Sequence, residues 1–409
     1  MGGGTPSKAN PQYWDGDIPW VSPKDMRAYV VSDSEDHITQ IGLSNSPCQL
    51  VPPGALLMVV RSGILRNKLP VAVNSVPVAL NQDMRAMIPY KDVSTRFVHY
   101  FIQGCERELL TRWCKEGSTV ESVEHDLLAG TWLALPSPTE QQRIVDYLDD
   151  STSKIDQLMA LRRRQIELLR EQRTAVIQRV VTHGLNPDAF FKDSGLPWLG
   201  NIPQHWEIKR NKFIFREVDV RSSDGSEELL TVSHITGVTP RSHKEDVNMF
   251  LAESNEGYKR VEMGDLAINT MWAWMGALGF SRYKGIVSPS YNVYRFRRAG
   301  YVDYYDLLFR SPQFIGEVIR HSTGIWESRL RLYPHAFFEI RSPIPPVEEQ
   351  EAIVAYVERM TGKTEAIITS YSRQLELLTE YRAMMIREYV TGQRSASRTI
   401  PESMCLAAG

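Results

Sequence analysis

Two segments of the chain carry apolar residues at every third or fourth position, with charged residues between them. This spacing puts the apolar side chains on one face of a helix, and it is typical of amphipathic helices that pack against a partner. The sequence therefore predicts a long helix over about residues 153–182 and a second one further along the chain. The predicted helix–helix packing residues are Ile155, Leu158, Ile166 and Leu169 in the first helix and Ile367, Leu375 and Leu378 in the second.

The two helical segments are copies of one another. The segment TEQQRIVDYLDD, which begins at Thr139, aligns without a gap with EEQEAIVAYVER, which begins at Glu348, 209 residues later. The same register pairs Arg173 with Arg382. Similar apolar stripes that lie far apart in sequence most simply bury each other. We therefore predict an antiparallel coiled coil with a pseudo-twofold relation between the two halves, since such a relation carries the two preceding domains to opposite ends.

Each helical segment follows a region of short β-rich runs, such as ALLMVV and YNVYRF, that Gly and Pro interrupt. The two regions also correspond weakly, since GALL at Gly54 parallels GDLA at Gly264. The fold class is therefore α+β: two mixed α/β domains separated by two long helices. The predicted boundaries are a first domain at 1–135, a helical spacer at 136–184, a Pro- and Gly-rich linker at 185–205, a second domain at 206–342, a second helical spacer at 343–392 and a disordered tail at 393–409.

Composition narrows the function classes. Hydrophobic residues make up 42% and charged residues 23% of the chain, as in ordinary globular proteins. The sequence has no apolar run of 18 residues and no secretory signal pattern, so we expect a cytoplasmic protein without a membrane partner. Four cysteines without a CxxC pair indicate reduced thiols and no zinc site. Lys and Arg number 47 against 49 Asp and Glu, so binding to nucleic acid would depend on local charge clusters.

The catalytic motifs in the sequence are weak. Asp188 after Pro187, followed by Glu207 and Lys209, resembles the PD…ExK pattern of nucleases, in which two carboxylates hold a metal ion. Pro and Asp are also expected in the turn that ends a long helix. We therefore predict no catalytic residue and no metal ligand. Two alternatives stay open at this stage: a metal-dependent nuclease and a helical scaffold that does not bind DNA.

Several segments carry a family resemblance. The N-terminal segment GGTPSKANPQYWDGDIPWVSPKDM resembles the first target-recognition domain of a type I restriction-modification DNA specificity subunit. The two repeated helical regions of that family resemble the segments LPSPTEQQRIVDYLD and PPVEEQEAIVAYVE. Parts of its second recognition domain resemble INTMWAWMGALGFS and GIWESRLRLYPHAFFEI. The resemblance covers nearly the whole chain.

The resemblance implies a subunit without catalysis of its own that binds double-stranded DNA. Each recognition domain reads one half of a split target, and the paired helices hold the two halves apart. The helices also dock two modification subunits, which carry S-adenosylmethionine and methylate an adenine. Restriction subunits, with ATP and Mg, join this assembly. No cofactor is expected on this chain itself.

Candidate DNA-binding residues follow from side-chain chemistry. Hydroxyl and amide groups can read base edges, and lysine and arginine fit phosphate. The candidates in the first domain are Thr5, Ser7, Lys8, Ser22, Lys24, Asn81, Gln82 and Thr119. The candidates in the second domain are Ser233, His234, Arg241, Lys244, Ser290, Tyr291, Asn292, Ser328 and Arg329. Trp272 and Trp274 alternate in a strand-like run, and we assign them to the core.

One difference separates the two halves. A strand-like segment, Trp206 to Lys209, leads into the second domain, and its counterpart 209 residues earlier would precede the first residue. The family normally has such a segment before the first domain. We therefore expect that this chain is truncated or starts late, and that one strand edge of the first domain is left unpaired.

Overall fold

The chain has an α+β fold, as the sequence predicts. The computed structural model describes residues 1–114, 121–243, 254–298, 300–324 and 330–395. The chain divides into two compact units: unit 1 comprises Met1–Arg163 and Ser372–Gly409, and unit 2 comprises Arg164–Tyr371. In the described part of the chain, no helix is both long and apolar enough to cross a membrane.

The elements of unit 1 follow the short apolar runs of the first domain. Its strands are β1 (Trp14–Val21), β2 (Val30–Val31), β3 (His37–Ile38), β4 (Leu56–Val59), β5 (Val71–Asn74), β6 (Ala79–Leu80) and β7 (Met84–Met87). Its helices are α1 (Gln40–Ser44), α2 (Thr95–Gly104), α3 (Glu106–Trp113), α4 (His125–Ala129) and the first part of α5 (Pro138–His183).

The core of unit 1 is built on β4. This strand pairs antiparallel with both β5 and β7, and β2 extends the sheet beyond β5. All four residues of β4 are buried, as expected of a continuous apolar run that is covered on both faces. Leu109 and Trp113 of α3 belong to the same apolar cluster. A second sheet places β1 between β3 and β6.

The elements of unit 2 repeat this plan with more strands. Its strands are β8 (Phe191–Asp193), β9 (Asn201–Pro203), β10 (Glu207–Arg210), β11 (Phe215–Glu217), β12 (Leu230–Ser233), β13 (Gly237–Pro240), β14 (Lys259–Val261), β15 (Leu266–Asn269), β16 (Leu278–Phe280), β17 (Gly285–Val287), β18 (Tyr291–Phe296) and β19 (Arg341–Ile344). Its helices are α6 (Asn211–Ile214), α7 (Val302–Phe309), α8 (Pro312–His321), α9 (Pro334–Glu339) and the first part of α10 (Val347–Val390).

The central strand of unit 2 is the counterpart of β4. Strand β15 pairs antiparallel with β16 and β18, and its four residues are buried. The glycines before the two strands, Gly54 and Gly264, have φ angles of +85° and +84°, which confirms the correspondence of GALL and GDLA. These left-handed angles favour glycine, since it has no Cβ. The aromatic side chains of Phe215, Phe309 and Phe337 pack together beneath the sheet.

The two long helices pack antiparallel, as the repeat predicts. In unit 1, Tyr147 of α5 contacts Tyr389 of α10 with ring centroids 4.4 Å apart, and Asp156 accepts a hydrogen bond from Arg382 at 2.9 Å. As α5 advances from 147 to 156, its partners in α10 recede from 389 to 382. In unit 2, the later part of α5 meets the earlier part of α10, where Arg173 pairs with Glu365 at 3.1 Å.

The structure corrects part of the predicted packing stripe. Ile155, Leu375 and Leu378 belong to the apolar cluster between the helices of unit 1. In unit 2, Ile166 is buried and Leu169 is half-buried. The prediction that Leu158 and Ile367 are packing residues was wrong, since their side chains are 36% and 41% exposed. The next residues, Met159 and Ile368, are buried in their place. A straight helix of 3.6 residues per turn drifts against a fixed pattern of three and four, so the buried stripe moves by one position.

Two other expectations also need correction. Helix α5 begins at Pro138 and not near residue 153, because the Ser137 hydroxyl accepts a hydrogen bond from the Glu140 amide at 3.3 Å and caps the helix. The segment 185–205 is not an open linker, since β8 pairs with β9 and the side chains of Leu199 and Ile202 are buried in the core of unit 2. The predicted tail beyond residue 395 lies outside the described residues.

Candidate nucleic-acid interface

The ends of two parallel strands gather several candidate residues in unit 1. Strand β1 runs parallel to β6, with Val21 opposite Leu80. Ser22 and Asn81 follow these strands directly, and the Asn81 amide donates to the Val21 carbonyl at 2.9 Å. Because parallel strands end at the same edge of a sheet, the two candidates lie side by side.

The N-terminal segment lies against the same edge. The Gly4 amide donates to the Leu80 carbonyl at 2.8 Å, and the indole of Trp20 donates to the Gly4 carbonyl at 3.0 Å. A Cβ added at Gly3 would lie 1.7 Å from the Asn81 carbonyl oxygen, so this close approach requires glycine. Next in sequence, the Thr5 hydroxyl donates to the Gln82 side chain.

Three candidates of unit 1 already use their polar side chains in hydrogen bonds to nearby residues. The Ser22 hydroxyl, which is 6% exposed, donates to Asp25 at 2.8 Å. The Asn81 side chain, also buried, accepts from the Asp83 amide at 3.0 Å. Lys24 donates to Asp36 at 2.9 Å, and this hydrogen bond and one to Glu35 raise the pKa of the lysine.

The remaining candidates of unit 1 differ in access. Ser7, Lys8 and Gln82 are exposed, while Thr5 is half-buried. The exposed side chains can meet a ligand without breaking a buried hydrogen bond. Thr119 lies outside the described residues.

In unit 2, a hairpin turn presents two candidates. Strands β12 and β13 pair antiparallel, and the turn between them begins at Ser233, whose hydroxyl accepts from the Ile235 amide at 3.2 Å. The guanidinium of Arg310 donates to the Ile235 carbonyl at 2.7 Å and anchors the turn. The side chains of His234 and Ile235 point outward and are exposed.

Another group lies at the start of β18. The Asn269 side chain donates to the Tyr291 hydroxyl at 3.0 Å, and the Thr270 hydroxyl donates to the Ser290 carbonyl at 2.8 Å. Burial raises the pKa of Tyr291, and the positive charge of Arg241 opposes that rise. The structure thus brings Ser290, Tyr291 and Arg241 together.

The other candidates of unit 2 are less accessible or lie elsewhere. Asn292 is 7% exposed and faces the core. Lys244, Ser328 and Arg329 lie outside the described residues.

The assignment of the tryptophan run to the core was wrong for Trp272. Its side chain is 51% exposed, and Trp274 is half-buried with its indole donating to the Met271 carbonyl at 3.0 Å. The run forms a tight helical turn that ends at Gly276 with a φ of +89°, so its side chains do not alternate as in a strand. Trp272 therefore offers an exposed aromatic side chain two residues after Thr270, whose hydroxyl bonds to Ser290.

Sequence reasoning missed a basic groove in unit 2. A cavity of about 940 Å³ is lined by five basic side chains, Lys209, Arg210, Arg297, Arg298 and Arg341. Glu339 pairs with Arg210 at 3.2 Å, whereas Arg298 and Arg341 form no ion pair with the described residues. The signal was present as two basic runs, EIKR and RFRR, that lie far apart in sequence.

The residues of the nuclease-like pattern do not form a cluster of carboxylates. Glu207 and Lys209 are neighbours on one face of β10, where their side chains pair at 2.6 Å. Asp188 lies in a turn in which its amide donates to Asn186 at 3.0 Å. Among the described residues, no group of three or more His, Cys, Asp or Glu side chains is arranged to hold a metal ion.

Comparisons with known sequences match the first part of the chain. Residues 1–168 match the family described as type I restriction modification DNA specificity domain. The EcoR124I/EcoR124II specificity subunit of Escherichia coli is 38% identical over 172 residues, which are 42% of this chain and 43% of that subunit. The MjaIX specificity subunit of Methanocaldococcus jannaschii is 28% identical over 214 residues, which are 51% of this chain and 47% of that subunit. The matched segments span a little under half of these relatives.

Comparisons with solved structures extend over both units. A chain from a structure of the type I R-M system, described in terms of complex assembly and conformational transition, has a TM-score of 0.68 at 14% identity over 93% of this chain and 95% of its own. The HsdS subunit from Thermoanaerobacter tengcongensis has a TM-score of 0.54 at 14% identity over 94% and 92%. Residues 1–168 therefore resemble the type I restriction modification DNA specificity domain, and the chain as a whole shares the fold of these two solved structures.

Proposed function

We propose that this chain is the DNA-recognising subunit of a type I restriction-modification assembly, in which each unit reads one half of a bipartite target. The observation that carries the proposal is the structural repeat. Each unit contains a mixed domain built on a buried central strand, and each unit includes parts of both long helices. Two readers in one chain make the second contact with DNA effectively intramolecular.

The exposed side chains of each unit support a reading role. Gln82 and Ser7 in unit 1 and His234 in unit 2 carry groups that can bond to base edges. Trp272 adds an open aromatic face that can contact an apolar base edge. The basic groove of unit 2 supplies cations for the phosphate backbone, which gives affinity but little sequence information.

The long helices are the proposed docking surface for two modification subunits. Their sequences repeat and their packing is antiparallel within each unit, so two copies of one partner would meet equivalent helical surfaces. S-adenosylmethionine, ATP and Mg would reside on partner subunits, with the restriction subunits completing the assembly. This chain would therefore contribute recognition and not chemistry.

A methylome experiment tests the proposal. Modification subunits of the same system are expressed in a methylation-free host with and without this chain, and adenine methylation is mapped at single-base resolution. The expected result is methylation at one split motif, which appears only when this chain is present. Methylation without the chain, or none with it in an assembled complex, would contradict the proposal.

The two alternative functions make different predictions. A nuclease would cleave DNA with Mg as an isolated chain and would lose cleavage in a Glu207→Ala variant. A protein-only scaffold would assemble with modification subunits but would not shift DNA. The exposed groups and the basic groove favour a DNA-binding role over the protein-only scaffold.

A further inference from the structure

The basic groove of unit 2 reaches the start of α10. Besides its basic side chains, the groove is lined by Pro345, Pro346 and Val347, which lead into this helix, and by Gln350 near its beginning. The first amides of an α-helix have no acceptor within the helix, and the helix dipole adds positive character there. The groove therefore joins a helix N-terminus to a set of cationic side chains, which is an arrangement that suits an anion.

Two arginines of this groove are available to a ligand. Arg298 and Arg341 are exposed and form no ion pair with the residues that the structure describes. Arg297, in contrast, donates to the backbone carbonyls of Lys212 and Phe215, both at 2.8 Å. An incoming anion can therefore meet two guanidinium groups without breaking an existing ion pair.

A buried glutamine supplies an independent observation at the same place. Gln350 is 3% exposed, and its Nε2 donates to the Pro345 carbonyl at 2.8 Å. Its Oε1 is buried and has no hydrogen-bond partner in the described part of the chain. Buried polar atoms without a partner are rare because they are costly. An amide oxygen only accepts hydrogen bonds, so the partner that it needs is a donor.

The repeat shows what fills these places in unit 1. Gln141 is the counterpart of Gln350, and its Oε1 accepts a hydrogen bond from the Ser94 amide at 2.8 Å. Ser137 is the counterpart of Pro346, and its hydroxyl caps α5 by accepting an amide hydrogen bond at 3.3 Å. Proline has no hydroxyl, so it cannot cap α10 in this way. At these two positions, unit 2 leaves open to a ligand what unit 1 fills with its own groups.

We propose that this end of the basic groove binds hydrogen phosphate. Its negative oxygens face the arginines and the N-terminus of α10, and its O–H group donates to Gln350 Oε1. Sulfate has a similar shape and charge but carries no hydrogen at neutral pH, so one of its oxygens would repel the Gln350 oxygen. The phosphodiesters of DNA lack this hydrogen as well. Gln350 therefore makes the site selective for a phosphate that keeps a proton.

Isothermal titration calorimetry of the full chain at about pH 8 tests the site, with phosphate and sulfate compared at equal ionic strength. We expect one site per chain, at which phosphate binds at least tenfold more tightly than sulfate. Adenosine monophosphate is the third probe, because a phosphate monoester with a second pKa of about 6 has lost its last hydrogen at this pH. It should also bind at least tenfold more weakly than phosphate. The assay contains no DNA, so its outcome is independent of the proposed function.

Three variants assign the selectivity to named residues. Gln350→Met keeps the shape of the side chain and removes the acceptor, so phosphate and sulfate should then bind within twofold of each other. Gln141→Met is the matched control in unit 1 and should leave the preference unchanged. Pro346→Ser gives α10 the cap that α5 has, and it should weaken phosphate binding at least fivefold. Circular dichroism and thermal unfolding verify that the variants are folded.

Four results would overturn the proposal. They are the absence of saturable phosphate binding up to tens of millimolar, equal binding of sulfate, equal binding of adenosine monophosphate, and equal effects of the two methionine variants. If Gln350→Met does not fold, Pro346→Ser decides the matter, since an unchanged phosphate affinity in that variant also overturns the site.

Discussion

Arg382 of α10 donates hydrogen bonds to both carboxylate oxygens of Asp156 in α5, at 2.9 and 3.3 Å. The repeat relates this pair to Arg173 and Glu365, which lie 3.1 Å apart in unit 2. The two ion pairs are therefore equivalent positions of one internal symmetry, with the arginine on α10 in one unit and on α5 in the other. Each unit therefore has its own copy of this ion pair, which sets the register of α5 against α10 in that unit.

Charge reversal at this pair should weaken helix packing by a small, measurable amount. Arg382→Glu places like charges together, and adding Asp156→Arg should restore the attraction. Since the Asp156 side chain is 54% exposed, we expect a coupling energy below about 1 kcal/mol. The measurement is a double-mutant cycle by urea unfolding, with the Arg173 and Glu365 pair as the matched cycle. Coupling in one unit and none in the other would contradict the equivalence.

Leu148 and Leu158 make a direct comparison within one helix. Leu148 is fully buried between the helices of unit 1, whereas Leu158 is 36% exposed. Leu148→Ala should lower the free energy of unfolding by about 2–5 kcal/mol, because it removes buried contacts and leaves a cavity. Leu158→Ala should lower it by less than about 1 kcal/mol. Equal losses in thermal or urea unfolding would show that the described burial is wrong.

His99 makes the stability of unit 1 depend on pH. Burial and, to a smaller extent, the nearby charge of Arg96 together lower its pKa from 6.5 to about 3, while the charge of Asp149 opposes the change. Between pH 6.5 and pH 3, His99 is therefore protonated in the unfolded chain but not in the folded one. The stability that neutral His99 contributes is fully present above pH 6.5 and is lost as the pH falls toward 3. From pH 7 to pH 5 the loss should be about 2 kcal/mol.

A His99→Gln variant isolates this contribution. The variant should lose less stability than the original chain between pH 7 and pH 5, as followed by urea unfolding at each pH. The control is His37→Gln, since His37 lies at the surface beside Asp33. The account is contradicted if the two variants keep the same pH dependence.

The sequence predicted the fold well where the pattern is long. The repeat identified both long helices, their antiparallel packing and the two mixed domains. It misplaced Leu158 and Ile367, because a helical pattern fixes a face only to within one position over many turns. It also read residues 185–205 as a linker, because Pro and Gly mark turns and do not reveal that Ile202 is buried in a core.

The candidate site was harder to predict for a physical reason. Side-chain chemistry singled out Ser22 and Asn81, but tertiary structure uses their polar groups to cap turns. The basic groove joins Arg298 and Arg341 with Lys209, which are distant in sequence. The pairing of β10 with β19 brings Arg341 close to Lys209, and Arg298 comes from the segment after β18. A single sequence carries no direct signal for such a juxtaposition.

The basic groove should contribute affinity without sequence preference. Arg298→Ala and Arg341→Ala should weaken DNA binding by the assembled complex, and each lost phosphate contact should reduce the slope of log affinity against log salt by about 1. The methylated motif should stay the same. Arg320→Ala is the matched control, because that arginine pairs with Glu317. Fluorescence anisotropy across a KCl series gives the slopes, and an altered motif would reassign these arginines to base reading.

The central claim is that the two units read DNA independently. The most direct measurement replaces residues 206–342 with the corresponding domain of another specificity subunit and maps adenine methylation by the assembled complex across a genome. The account predicts that one half of the split motif changes to that of the donor while the other half stays as it was. A motif that changes in both halves, or in neither, from a folded and active complex would contradict the account.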